Sequence, residues 1–325
     1  MEYCDEITNL NDGIYIIDTG YLTRKNYAAI YLLIDNNEAA IIETSTNYSF
    51  DKVKKYLSDF GVSNDDVKAV IVTHVHLDHA GGAGKLMEYY ASAKLYVHPR
   101  GAKHMIDPSK LIQSVKQVYG EENYHKMYGE IIPVERQRVV EVENGSDITI
   151  GTKTIEFYHS PGHAKHHIIA FEKHDKNLFS GDSFGIGYPR FIFDRNKRFI
   201  FSSTSPVQFN PDEAKSTYNL ILNLNPKRVL LTHFGELYCV NETYELLNHF
   251  IDFSLKSAQS HYDKGLRKHD LYSVILNDLW KEYDSFVFKA RGKRLSDEER
   301  DLLFLDADLN SKGVGMYMEK INSEK

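Results

Sequence analysis

The sequence predicts an α/β fold in which two β-sheets pack face to face and helices cover them. Its first forty residues indicate a β-meander, because short apolar runs starting at Gly13, Tyr27 and Glu38 are separated by turn residues. A second β-rich stretch begins near Arg138 and again alternates with helical segments. Two successive β-rich halves with interleaved helices favour a sheet-on-sheet core.

The individual elements follow from apolar spacing. A helix is expected at residues 51–60, where apolar residues recur at helical intervals. The run VKAVIVT is typical of a strand buried on both faces, and a helix near residues 79–90 follows it. Further strands are expected at RVVEV (138–142), DITI (147–150), TIEFYHS (154–160), HIIAFE, NLFSGD and RVLLTH (228–233), with a helix at residues 211–224 ahead of the last.

The predicted organisation is one main domain at residues 1–240, with a helical C-terminal extension at residues 241–325 packed on it. Residues 102–133, rich in Lys, Tyr and Gln, predict a helical insertion in the main domain. In the extension, Ser296 and Glu299 have the spacing of a capping box that starts a helix. Amphipathic terminal helices usually complete a core, and a homodimer through them is the alternative.

The amino-acid composition limits the classes of function that this chain can have. The chain has 325 residues, 42% apolar and 26% charged, which is typical of a globular protein. Its formal charge of −7 disfavours a general nucleic-acid binder, and no apolar run is long enough for a membrane span. The first ten residues are acidic and lack an apolar stretch, so we expect no signal peptide. Two cysteines, Cys4 and Cys239, predict no disulfide framework and favour a reducing, cytoplasmic location.

Four titratable residues cluster directly after the buried strand, in VTHVHLDHAGG. His74 and His76 are two residues apart, so extended backbone projects them to the same side. Asp78 and His79 follow on the next turn and can face the same point. Imidazole and carboxylate groups suit zinc, iron or manganese. The alternative is a pair of strand histidines beside an Asp that caps a helix.

Three further segments place a metal-ligand residue type after an apolar strand. His163 lies in HSPGHAKHH, Asp182 in LFSGDSFG and His233 in LLTHFG. With the first four, these groups are enough to hold two ions, with Asp182 as the bridge.

These motifs, in this order from about Gly13 to Gly235, resemble the metallo-β-lactamase superfamily. The resemblance implies a four-layer αβ/βα sandwich with a dinuclear site at one edge. The ligands that it implies are His74, His76 and His163 for one ion; Asp78, His79 and His233 for the other; and Asp182 between them. One departure is Glu43 in IIETS, where many members have Asp in a structural position near the site.

The resemblance favours a hydrolase in which a metal-bridging hydroxide attacks an ester, lactone, thioester or phosphoester. The alternative is a non-haem diiron protein that binds, senses or reduces oxygen, because the same ligands accept iron. Flavodiiron-type relatives usually have Glu at the position of His76 and a flavodoxin domain behind the sandwich. This chain has His there and lacks a flavin-binding glycine loop in residues 241–325.

Other residues receive narrower roles. Asp78, besides binding metal, is the candidate catalytic residue that orients the nucleophile or moves a proton. Tyr188 and Arg190, in GIGYPRF after Asp182, are candidate substrate contacts, against the alternative of an ordinary aromatic loop. His166 and His167 follow the site closely but start a strand, which makes an ordinary structural role the main expectation.

Overall fold

The computed structural model describes residues 5–194 and 197–323. Cys4, and the start of the segment for which no signal peptide is predicted, lie outside these residues. The described strands are β1 Ile7–Asn9, β2 Ile14–Asp18, β3 Ala29–Asp35, β4 Glu38–Ile42, β5 Val67–Ile71, β6 Lys94–Val97, β7 Val139–Glu141, β8 Asp147–Ile150, β9 Lys153–His159, β10 Ile168–Glu172, β11 Asn177–Gly181, β12 Ile192–Asp194, β13 Lys197–Arg198, β14 Arg228–Leu231 and β15 Gly235–Leu237. The described helices are α1 Phe50–Asp59, α2 Leu77–Ala80, α3 Ala83–Tyr89, α4 Pro99–Ile106, α5 Ser109–Tyr119, α6 Glu121–Tyr128, α7 Pro211–Leu224, α8 Val240–Asp263, α9 Lys268–Arg291 and α10 Asp297–Ser323.

The chain divides into two compact units. The first unit comprises the described residues of Met1–His159, His166–Gly181 and Pro226–Leu237. The second comprises those of Ser160–Lys165, Asp182–Asn225 and Tyr238–Lys325. Each unit consists of three separate segments of the chain. The predicted domain boundary divides the chain only once, at residue 240, and it stays a prediction.

The first unit contains two large sheets. One has seven strands in the order β1-β2-β3-β4-β5-β6-β7, and the other has six in the order β15-β14-β11-β10-β9-β8. The meander β2-β3-β4 is antiparallel, as the turn residues between its strands predict. From β4 through β7 the strands are parallel, and β11 pairs in parallel with β14. The predicted α/β class with two sheets is confirmed.

Alternate residues of the seven-stranded sheet enter two different apolar cores. Ile30 and Leu32 of β3 pack with residues of α1, α3 and α4. Tyr31 and Leu33 pack instead with residues of the other sheet, among them Phe179. Because both faces are covered, the strands need apolar side chains at every position, which explains their unbroken hydrophobic runs. The Tyr31 hydroxyl also donates to the carbonyl of Leu231, 2.5 Å away, and so joins the sheets.

The second unit is built on long helices around an aromatic cluster. Phe199 lies 5.8 Å from Phe250 and 5.2 Å from Tyr283, measured between ring centroids. The predicted capping box at the start of α10 is confirmed. Ser296 Oγ accepts the backbone N–H of Glu299, and the Glu299 carboxylate accepts that of Ser296.

Helices α4, α5 and α6 occupy the chain between β6 and β7, where the insertion is expected. Among the described residues, none of the helices has both the length and the apolar character that a bilayer crossing requires. Cys239 is buried as a free thiol.

A buried histidine at the start of α4 makes the stability of the first unit depend on pH. His98 Nδ1 accepts the N–H of Arg100, so this imidazole is held neutral as an N-cap. Burial, the neighbouring His159 and Arg100 lower the pKa of His98 to about 4. The His159 ring centroid lies 4.2 Å away. Since the folded state resists the proton that the unfolded chain accepts, stability is lost as the pH falls below the unfolded value of about 6.5.

We therefore predict that His98→Asn makes the protein less sensitive to mild acid. Asn keeps an acceptor for the helix N-terminus but has no proton to gain. The wild type should lose about 2 kcal/mol more of its free energy of unfolding between about pH 7 and pH 5 than the variant loses. Urea unfolding at the two pH values measures this difference. The exposed His269→Asn is the control, and equal losses in wild type and His98→Asn would contradict the prediction.

Candidate metal centre

The polar residues of the first unit follow strands that end at the same edge. Glu43 follows β4, and the segment His74–His79 follows its parallel neighbour β5. The carboxyl ends of parallel strands meet at one edge of a sheet, where side chains converge on rigid backbone. Thr73, between β5 and His74, accepts the N–H of Ile168 through its carbonyl, which ties this edge to the start of β10 in the other sheet.

Asp78, His79 and His233 converge on one point. Asp78 Oδ2 lies 3.7 Å from His79 Nε2 and 3.5 Å from His233 Nε2. One ligand-type atom from each of the three residues falls within 4.8 Å of the others. His79 is fully buried, and Asp78 has a quarter of its side chain exposed. Two imidazole nitrogens and a carboxylate oxygen at such spacing match the donors and the size that a zinc-like divalent ion needs.

The far nitrogen of each of these imidazoles is held by an oxygen. His79 Nδ1 donates to Glu43 Oε1 at 3.0 Å, and His233 Nδ1 donates to the Tyr27 carbonyl at 2.7 Å. Each bond fixes the ring orientation and places the Nε2 atom of that ring close to Asp78. Metal-binding histidines are typically anchored in this way, so the residues present fit a divalent ion.

The electrostatics of this cluster favour an ionised Asp78. Burial alone would raise the pKa of Asp78, but the neighbouring charge of His79 and a hydrogen bond from His233 outweigh it. The pKa of Asp78 is therefore held well below its usual range. The carboxylate is a charged acceptor at neutral pH, as metal binding requires.

His74 and His76 form the neighbouring pair. His74 Nε2 lies 2.9 Å from His76 Nδ1, so two ring nitrogens face each other. The buried His167 ring stacks on His74 with centroids 4.8 Å apart, and His166 lies 6.2 Å from the same ring. These two histidines were expected to be ordinary strand residues. The sequence feature that indicates a position near His74 is that both residues directly follow the HSPGHAK segment.

In the second unit, His163 and Asp182 come together. His163 Nε2 lies 3.6 Å from Asp182 Oδ2, and both residues are buried. His163 Nδ1 donates to the Ser203 carbonyl at 3.2 Å, which is the same kind of anchor that orients His79 and His233. The backbone before His163 needs glycine at position 162, where φ is +129° and an added Cβ would lie 2.4 Å from the Ala214 Cα.

Tyr188 and Arg190 have partners within the second unit. The Tyr188 hydroxyl donates to Asp306 Oδ2 at 2.7 Å, and its side chain is buried. Arg190 is half exposed and pairs with Glu298 at 2.8 Å. These contacts give both side chains a structural role, and their contact with substrate stays a prediction.

The structure thus brings five predicted ligands together in the first unit and two in the second, and the pairing of ligands with two ions stays a prediction. Sequence reasoning gave Glu43 only a general structural position and overlooked Tyr27 altogether. Both contacts join residues far apart in the chain, 36 positions for Glu43 with His79 and 206 for Tyr27 with His233.

Comparison with known proteins agrees with this geometry. Relatives of known description include the metallo-beta-lactamase fold-containing protein ST1585 of Sulfurisphaera tokodaii, 27% identical over 53% of this chain and 63% of that protein. The hydroxyacylglutathione hydrolase of Pelagibacter ubique is 25% identical over 58% of this chain and 64% of its own. The acyl-coenzyme A thioesterase MBLAC2 of Bos taurus is 22% identical over 54% of this chain and 64% of its own length. The chain thus spans a little under two thirds of the length of these relatives.

The solved structures extend the likeness beyond the matched sequence. The archaeal metallo-beta-lactamase superfamily protein ST1585 from Sulfolobus tokodaii superposes with a TM-score of 0.65 at 20% identity, covering 93% of this chain and 98% of its own. At this identity the likeness concerns the fold. The family model described as the metallo-beta-lactamase superfamily matches residues 11–233, which include every predicted ligand. The chain therefore belongs to the metallo-beta-lactamase superfamily.

Proposed function

We propose that this protein is a dinuclear metal-dependent hydrolase, with thioesters as its first candidate substrates. The observation that supports it most is the convergence of His79 Nε2 and His233 Nε2 on Asp78, with each ring anchored from behind. One of the relatives is named a hydroxyacylglutathione hydrolase, and another is named an acyl-coenzyme A thioesterase. The proposed ligand set adds His74, His76, His163 and Asp182.

The proposed chemistry divides between the ions and the side chains. Two divalent ions, zinc, iron or manganese, would lower the pKa of a water between them toward neutrality and so provide hydroxide for attack on a carbonyl or phosphoryl centre. Asp78 is ionised and its Oδ2 lies against two imidazoles, so the carboxylate would orient the attacking water by accepting a hydrogen bond from it. Transfer of a proton toward the leaving group is the second role proposed for Asp78.

The anchors behind the imidazoles keep the site ready for a metal before it binds. Glu43 is fully buried and has a positive φ of +65°, a conformation that a non-glycine residue adopts at a cost. Its carboxylate also accepts the Thr73 hydroxyl and N–H and the Thr232 hydroxyl. These bonds fix the position of the oxygen that holds His79. We infer that Glu43 sets the affinity for the metal although it is not a proposed ligand.

The direct test is activity with metal analysis. The purified protein should contain about two metal ions per chain and hydrolyse short acyl-coenzyme A thioesters. A chelator should abolish turnover, and zinc or manganese should restore it. Two irons with an oxo absorption band, oxygen binding and no hydrolysis of esters, lactones, thioesters or phosphoesters would instead identify a diiron oxygen-binding protein.

We predict that Glu43→Gln weakens metal binding while the protein stays folded. The amide is close in size but lacks the charge that holds His79 Nδ1–H, so metal affinity should fall about 10- to 100-fold. Competition with a chromophoric chelator measures this affinity. Glu88→Gln, on the exposed side of α3, is the control. Wild-type affinity in Glu43→Gln would show that the anchor is dispensable.

We also predict that Asp182→Ala removes most of the bound metal. If this carboxylate bridges two ions, its loss takes a ligand from each and leaves their repulsion unscreened. Elemental analysis should find fewer than about one ion per chain in the variant, against about two in the exposed control Asp252→Ala. A content near two in Asp182→Ala would overturn the bridging assignment.

A further inference from the structure

The loop between β2 and β3 lies directly beside the proposed metal ligands of the first unit. Tyr27 lies near the end of this loop, and its carbonyl oxygen accepts the hydrogen bond from His233 Nδ1. The Tyr27 ring also contacts the His233 ring edge-on, with centroids 5.9 Å apart. A side chain that packs on the Tyr27 ring is therefore separated from the proposed ligand His233 by that one ring.

The conformation of this loop is fixed by Asp18, the last residue of β2. Asp18 Oδ1 accepts the N–H of Gly20 at 3.1 Å, and Asp18 Oδ2 accepts that of Asn26 at 2.9 Å. One buried carboxylate thus joins both ends of the loop. Between them the backbone is left-handed at Leu22 and Thr23, with φ of +54° and +59°. Backbone that is strained and held by surrounding bonds is common where a protein positions functional groups.

Arg24 is the charged residue that this loop holds over Tyr27. Its Cζ lies 5.3 Å from the centroid of the Tyr27 ring, within range of a cation–π contact. The Tyr21 ring stacks on the Tyr27 ring, with their centroids 6.2 Å apart. Arg24 is half-buried, so the residue is neither enclosed in the core nor fully exposed. A planar guanidinium presents paired N–H donors that match the oxygens of a carboxylate or a phosphate.

We propose that Arg24 is a specificity-determining residue that binds an anionic group on the substrate, a carboxylate or phosphate oxyanion distant by a few bonds from the scissile carbonyl. The proposal rests on the proposed hydrolase function and adds a substrate class to it. The rigid loop fixes the position of the charge, and the Tyr27 ring sets it beside the ligand His233. A fixed charge favours substrates whose anion reaches it while the carbonyl lies at the metal centre.

A matched pair of esters tests this proposal. The hemiglutarate ester of para-nitrophenol has a free carboxylate, and para-nitrophenyl valerate is its uncharged analogue of similar length. Arg24→Gln should lower the ratio of kcat/KM for the hemiglutarate to kcat/KM for the valerate about tenfold, mainly through KM for the charged ester. Arg24→Lys keeps the charge without the planar fork and should fall between. Lys25→Gln changes the same charge on the same loop and should leave the ratio within about twofold of wild type.

A structural role for Arg24 gives a different pattern. If the arginine only stiffens the loop, Arg24→Gln lowers kcat/KM for both esters together, the ratio stays constant, and the proposal is wrong. Calorimetric binding of glutarate to the protein as purified gives a second readout that needs no turnover. Glutarate should bind about tenfold more weakly to Arg24→Gln than to wild type or Lys25→Gln. Failure of the hydrolase proposal appears separately, as wild-type protein that cleaves neither these two esters nor short acyl-coenzyme A thioesters. In that case the glutarate affinities alone decide the role of Arg24, and equal affinities overturn it.

Discussion

The constraint on which the rest of this structure depends is the need to hold imidazole rings rigidly at the ends of buried strands. A ring that binds a metal through one nitrogen can rotate unless its other nitrogen is bonded. In this structure Nδ1 of His79 donates to the Glu43 carboxylate. Nδ1 of His233 donates to the Tyr27 carbonyl, and Nδ1 of His163 donates to the Ser203 carbonyl. Each acceptor belongs to a segment distant in sequence from the ring it holds, so the site exists only in the folded chain.

This constraint explains why the first unit buries so many ionisable groups. An isolated buried Glu43 would cost several kcal/mol, but the hydroxyls of Thr73 and Thr232 and the imidazole of His79 satisfy its oxygens. The sheets supply the rigidity that the network needs, because their strands are packed on both faces. Apolar packing offsets the free energy that is needed to bury this network. As a result, the Nε2 atoms of His79 and His233 lie close to Asp78 before any metal binds.

The same logic gives the C-terminal helices a role in the second unit. Asn310 of α10 accepts the N–H of Thr204 at 2.8 Å and donates to the Ser202 carbonyl at 3.0 Å. These bonds hold both neighbours of Ser203, whose carbonyl orients His163. The helix thus supports a proposed ligand through two hydrogen-bonded steps, although it contributes none itself. The wider expectation that the terminal helices complete the core of the main domain stays a prediction.

Local features of the sequence predicted much of this structure. Helix α7 spans the predicted residues, the Ser296–Glu299 capping box forms, and the ligand-type residues of VTHVHLDHAGG follow the expected strand. These features depend on periodicity and turn chemistry over a few residues. The partners of the ligands were not predictable in this way. Tyr27 with His233 and Tyr188 with Asp306 are contacts across 206 and 118 positions, and no local pattern encodes them.

The measurement that tests the account most directly is anomalous X-ray diffraction from crystals of the metal-loaded protein. The account predicts two peaks about 3.5–4 Å apart, the distance typical of hydrolytic two-metal sites. One peak should lie between Asp78 Oδ2 and the Nε2 atoms of His79 and His233. A single peak, or metal bound elsewhere while His79 and His233 keep their anchors without an ion, would contradict it.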